Sequence, residues 1–231
     1  MDNIEILKVI IGSRAYDLHT EDSDTDFRSV YIIPTSRLLS VDMVRKYSVH
    51  KQTNGRDDVE YEIGHFIHLA LQSNPTILEI FTAPIVSCPT INGWDTIKTI
   101  GEELRELFPF VWSSKKVYAA FKGYATSQRR QAEVIRLSKQ RIRKCYMAYI
   151  KTLIFGTSLL KDGCFPLPLP QDVKTLLLDI KNGVVSPYEY PKLSFKYEEA
   201  LDDTYKKAPL KVANIEVINE FLLGVRKALW E

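Results

Sequence analysis

Asp24 and Asp26 stand two residues apart, with an apolar, β-branched run following them. In an extended chain alternate residues face the same way, so both carboxylates lie on one face, their Cα atoms roughly 6–7 Å apart. Two carboxylates at that spacing offer hard oxygen ligands to one or two Mg2+ ions. Such ions, about 3.5–4 Å apart in two-metal sites, stabilise the attacking and leaving oxygens of an in-line displacement. Upstream, the apolar run at 6–11 stops at Gly12-Ser13. Gly12 lacks a Cβ and lets a phosphate approach the main chain. Ser13 adds a hydroxyl and an N–H, and a short helix opened by Ala15 and Tyr16 would favour an anion at its N-terminus. An isolated Asp-x-Asp is commonly a solvated loop, and Gly-Ser often follows a strand. Together, and followed by an apolar strand, the two motifs favour phosphate chemistry.

Arg14 lies in the Gly-Ser turn, and Arg28 lies two residues beyond Asp26 on the same strand face. Either cation can neutralise triphosphate charge, or else bridge to nearby acids. His65 and His68 are one helical turn apart, but no third ligand stands at a metal-site spacing. A basic stretch from Lys115 to Lys144 includes Arg129 and Arg130 and is interleaved with Tyr118, Phe121 and Tyr124. It reads either as a charged helix face or as a nucleic-acid track in which Arg129 and Arg130 meet phosphates.

The elements that must position these residues follow from periodicity. Residues 6–11, 26–33, 47–50 and 59–63 read as strands. Asp57 and Asp58 precede the fourth, and the polar stretch 17–25 reads as a loop. From Gly64 the period becomes helical through Phe66, Leu69 and Ala70. Asn74-Pro75 separates that helix from another at 76–81, and a proline-bearing connection follows through Pro84 and Pro89. Long helices are expected over 116–139 and 141–160. The alternating prolines Pro166, Pro168 and Pro170 must interrupt them. Further helices are expected at 172–181, 193–207 and 214–230. The reading is α/β: a small mixed sheet at the N-terminus and a helical C-terminal part, divided into 1–110 and 111–231.

Gly12-Ser13 with Asp24-x-Asp26 resembles the signature of the DNA polymerase beta nucleotidyltransferase superfamily. The fuller pattern, Gly12-Ser13-Arg14-Ala15-Tyr16 and Ser23-Asp24-x-Asp26-x-Arg28-x-x-Tyr31, is similar to a subfamily of nucleotidyltransferases associated with RNA ligases. Phe66-x-x-Leu69-Ala70, Asn74-Pro75-Thr76 and Leu78-Glu79 extend the resemblance, as does Leu160-x-x-Gly163 more weakly. The resemblance implies that Gly12 and Ser13 hold a nucleoside triphosphate and that Asp24 and Asp26 bind Mg2+. A third acid on a neighbouring strand would activate the acceptor hydroxyl. Glu60 and Glu62 both stand between apolar residues on one face; Glu60, deeper in the strand, is favoured and Glu62 stays open. The helical part would cover the site. The subfamily's histidine on the helix after Lys144 is replaced here by Cys145, Tyr146 and Ala148, while Lys151 keeps a basic group on that helix.

The expected reaction transfers a nucleoside monophosphate from an NTP to a hydroxyl, with RNA or another nucleic-acid end as acceptor. The alternatives are a nucleotide- or RNA-binding module without catalysis, and a transferase acting on a protein or small-molecule hydroxyl. Net charge is +2, so the whole chain is not a generic polyanion binder. Three scattered cysteines, Cys88, Cys145 and Cys164, form no metal pattern or disulfide framework and suit a reducing cytoplasm. The N-terminus does not read as a signal peptide, and no apolar run has the length to span a bilayer.

Overall fold

The computed structural model describes residues 3–19, 21, 23–41, 48–53, 56–94, 96–133 and 138–230, with backbone alone at 51–53, 56 and 57. The chain divides into two compact units. The first comprises Met1–Leu71, Thr76–Trp112 and Ala213–Glu231; the second comprises Gln72–Pro75 and Ser113–Val212. The last segment of the chain thus belongs with the sheet-bearing unit rather than with the helices that precede it in sequence.

The first unit is built on five strands: β1 (Ile4–Ile11), β2 (Asp26–Ile32), β3 (Ser48–Thr53), β4 (Arg56–Glu62) and β5 (Ile85–Ser87). Their order is β3-β4-β2-β1-β5. β1 runs antiparallel to both β2 and β5, and β3 antiparallel to β4. β2 and β4 are parallel, so the sheet is mixed, as expected. The start of the expected third strand, Tyr47, lies outside the described residues. β1 and β2 form because β-branched and aliphatic residues recur on both faces of a buried strand; Leu7, Val9, Val30 and Ile32 are wholly buried.

Helices pack on this sheet. α1 (Thr35–Leu38) follows β2 directly. α2 (Ile63–Leu71) lies against β2 and β4 and buries Ile63, Phe66, Ile67 and Ala70, a helical stripe. α3 (Pro75–Ile80) begins at the expected proline. The Phe66 and Phe81 rings meet tilted at 5.0 Å, and those of Phe81 and Phe108 at 5.8 Å. The proline-bearing connection contains a further strand, β5, and a helix, α4 (Ile100–Glu106). α4 opens with a reciprocal cap: Thr99 Oγ accepts the Glu102 N–H, and the Glu102 carboxylate accepts the Thr99 N–H. Its contact with β1 is so close that a Cβ on Gly101 would stand 2.3 Å from the Ile6 carbonyl oxygen. Only glycine permits that approach.

The second unit holds α5 (Ser114–Ala132), α6 (Lys139–Asp162), α7 (Gln171–Asn182) and α8 (Tyr190–Lys207). The proline-rich break separates α6 from α7, as expected. Phe165, within that break, packs against Phe155 at 5.0 Å and Phe121 at 6.1 Å. α9 (Ile215–Ala228) returns to the first unit. There Leu229 and Trp230 carbonyls accept the N–H groups of Thr35 and Ser36. Among the described residues no helix is long and apolar enough to cross a membrane. The fold is α/β, a small mixed sheet followed mostly by helices.

Candidate active site

The site begins where β1 runs out. Ile11 pairs with Asp26 across the antiparallel ladder, so the next residue turns over the start of β2. Gly12 makes that turn with φ +72°, a region that side-chain-bearing residues avoid. A Cβ placed on Gly12 would stand 3.3 Å from Asp26 Oδ2. The missing side chain therefore leaves open the space beside that carboxylate. Ser13 follows as the N-cap of a 3-10 turn, Arg14–Tyr16, and its carbonyl accepts the Leu18 N–H at 2.8 Å. The expected short helix is this single turn.

Two side chains fix the turn. Tyr16 is buried, and its hydroxyl donates to the Glu79 carboxylate of α3. Burial first, then the Glu79 charge, pushes its ionisation well above the ordinary phenol range. Arg14 donates through Nη2 and Nε to the Ser23 carbonyl, at 2.8 and 3.3 Å. Arg14 thus ties Ser23 to the turn. Asp24 is exposed and lies two residues before β2, so strand alternation does not set its direction. Arg28 alternates with Asp26 along β2 and donates Nη1 to the Phe27 carbonyl.

The parallel register of β2 and β4 bears on the third acid. Arg28 is level with Val59, Ser29 with Glu60, and Tyr31 with Glu62. Glu60 and Glu62 therefore share the face of Ser29 and Tyr31, opposite to that of Asp26 and Arg28. Burial raises the Tyr31 hydroxyl, and the charges of Glu62 and then Glu60 raise it further, as neighbours on one face must. Glu62 is buried and engaged: Oε1 bonds Arg226 Nη2 of α9 at 2.5 Å, and Oε2 accepts the Gly64 N–H at 2.7 Å. Toward the Gly12 turn, Asp58 Oδ1 accepts the Phe27 N–H at 3.1 Å. Asp57 precedes Val59 on β4 by two residues, as Asp26 precedes Arg28 on β2. The sequence shows Asp57-Asp58 plainly; what it could not supply is the register of β4 against β2.

Among the described residues no three His, Cys, Asp or Glu side chains cluster as a metal centre. His68 is exposed, and the His65 N–H points to Glu62. In the second unit Arg129 donates Nη1 to Glu198 at 2.9 Å and lies 3.9 Å from Glu133, so its charge is compensated. Arg130 is exposed, as are Lys139 and Arg141; Arg136 lies outside the described residues.

A mixed sheet whose first strand ends in Gly-Ser beside an aspartate opening the next strand is the layout of a nucleotidyltransferase. The chain matches the RNA repair pathway DNA polymerase beta family over residues 3–214, and it belongs to that family. It is a nucleotidyltransferase of the DNA polymerase beta type. Among solved structures it is similar to a nucleotidyltransferase-like protein from Exiguobacterium sibiricum 255-15, with 12% identity and a TM-score of 0.30, over 97% of this chain and 74% of that one. No curated protein matches it.

Proposed function

We propose that this protein transfers a nucleoside monophosphate from an NTP to a hydroxyl at an RNA end, releasing pyrophosphate. The observation that carries the reading is the open space at Gly12 beside Asp26 Oδ2, at the end of the sheet. It admits an oxygen-rich ligand where a methyl group would block it. Gly12 and the backbone and hydroxyl of Ser13 would grip the triphosphate. Arg28, on the face of Asp26, would offset its charge. Arg14 would act through the loop it holds.

Asp24 and Asp26 would hold Mg2+, for which their hard carboxylate oxygens are suited. When bound, that ion supplies charge neutralisation at the phosphates. For the third carboxylate, the register favours Asp57 over Glu60 and Glu62. Asp57 would accept the acceptor hydroxyl's proton as its oxygen attacks the α-phosphorus. The bond from the α-phosphorus to the oxygen bridging to the β-phosphate breaks, and pyrophosphate carries away the electron pair. The protein's contribution is mainly orientation and electrostatics.

RNA as acceptor is supported by the family's description and by exposed Arg130, Lys139 and Arg141. The test is incubation with each α-labelled NTP, Mg2+ and RNA, with label followed into RNA, protein and small molecules. Label in RNA, with RNA affinity that falls as salt rises and more gently after Arg130→Ala, supports the reading. Label only in protein or a small molecule would reassign the acceptor.

A further inference from the structure

The second unit contains a cavity of about 440 Å3 bordered by α5, α6 and α8, which the transfer chemistry does not use. Ligand pockets typically measure roughly 300–1,000 Å3. One wall is aromatic. Tyr146 and Tyr190 stack with centroids 3.7 Å apart and planes 14° from parallel. Tyr146 is locked by its hydroxyl, which bonds the Tyr190 carbonyl oxygen and, at 2.9 Å, Ser194 Oγ. Phe195 borders the same cavity while 66% exposed, a large apolar ring left in water.

The other border is polar and ordered. Glu198 Oε1 accepts from both Arg129 Nη1, at 2.9 Å, and the Tyr149 hydroxyl, at 2.8 Å. Both bonds fall on one oxygen. Arg129 and Glu198 both line the cavity. A carboxylate and a guanidinium thus stand side by side in the lining that also holds the aromatic wall. Glu133 adds a second carboxylate, so acids outnumber the single cation there and a phosphate is disfavoured.

We propose that this cavity binds a purine nucleobase, stacked on the aromatic wall with its donor–acceptor edge against Glu198 and Arg129. The nucleobases are flat, carry N–H donors beside ring or carbonyl acceptors, and stack on aromatic side chains. A purine covers more of the wall than a pyrimidine. The base can belong to a free nucleoside or to an RNA end. The assignment is independent of the transferase reading, because it is read by binding alone.

The experiment is a calorimetric titration of the full chain, without NTP or metal, with adenosine, guanosine, cytidine and uridine. Saturable binding of at least one purine, tighter than either pyrimidine, is expected. Phe195→Ala, at an exposed position, weakens it roughly tenfold by loss of stacking. Glu198→Gln weakens it as well, and adenosine 5′-monophosphate binds no more tightly than adenosine. Competition by a short purine-ended RNA assigns the source to an RNA end; purine binding without such competition assigns it to the free nucleoside. No saturable binding at millimolar nucleoside, equal binding of all four, or binding indifferent to both substitutions overturns the proposal.

Discussion

The Glu62 carboxylate and the Arg226 guanidinium form an ion pair inside the first unit, at 2.5 Å, with side chains 2% and 14% exposed. Arg226 also donates Nη1 to the Ile33 carbonyl, and its own carbonyl accepts the Thr35 hydroxyl. Glu62 meanwhile receives N–H groups from the first turn of α2. This pair joins the end of β4 to α9, which comes from the far end of the chain. The pair ties these two segments together within the first unit.

Arg226→Met should therefore act on stability. It leaves a buried carboxylate without its cation, which costs about 3–5 kcal/mol. Urea denaturation should show a lowered midpoint with the slope kept. Transfer measured well below that midpoint should retain most of its rate. A midpoint unchanged within error would show that the pair contributes nothing.

Gly12→Ala should separate stability from activity. A left-handed φ of +72° strains alanine, and the new methyl group lies 3.3 Å from Asp26 Oδ2. The cost in stability is about 1–2 kcal/mol. The loss of transfer should be much larger, because the methyl group fills the space beside the carboxylate. A fall in kcat/KM no greater than the loss of folded protein would rule out Gly12 as part of the triphosphate cradle.

The third acid can be assigned by paired substitutions. Asp57→Asn should lower kcat by roughly 10²-fold or more, the scale of losing a general base, with NTP binding still measurable. Glu60→Gln should retain most activity, since its register row is that of Ser29. The reverse pattern would restore Glu60 to the site.

These contrasts mark what the sequence made legible. Strand, turn and strand around Gly12 and Asp26 were readable because β-branched runs, a Gly-Ser stop and an Asp-x-Asp spacing are local signals. Glu60 and Glu62 could not be separated, because they share one face and their surroundings depend on the register of β4 against β2, a non-local pairing. Arg226 was hidden for the same reason, being distant in sequence from Glu62. α4 was missed although Thr99-x-x-Glu102 announces its cap, because proline residues on both sides masked a short helix. The spacing of Arg129 fits a charged helix face or a phosphate contact; its pairing with Glu198 depends on how α5 and α8 pack.

Alkaline pH should destabilise the second unit. Burial pushes the Tyr146 hydroxyl up to about 12, against about 10 in an unfolded chain. The folded state keeps a proton that the unfolded state releases. The contribution is complete below about pH 10 and is lost as pH rises toward 12. Urea midpoints should fall over that interval, and Tyr146→Phe should flatten the fall. An unchanged slope in the variant would show that other groups dominate.

The most direct test of the account measures pyrophosphate released from each NTP, with Mg2+ and an RNA acceptor, by wild type and by Asp26→Asn. Pyrophosphate is expected in step with nucleotide incorporated into RNA. The substitution should lower it by roughly 10²–10³-fold or more, without a matching loss of folded protein. No release with any NTP, or full release by Asp26→Asn, would contradict the claim that the Gly12–Asp26 end of the sheet is a nucleotidyl-transfer site.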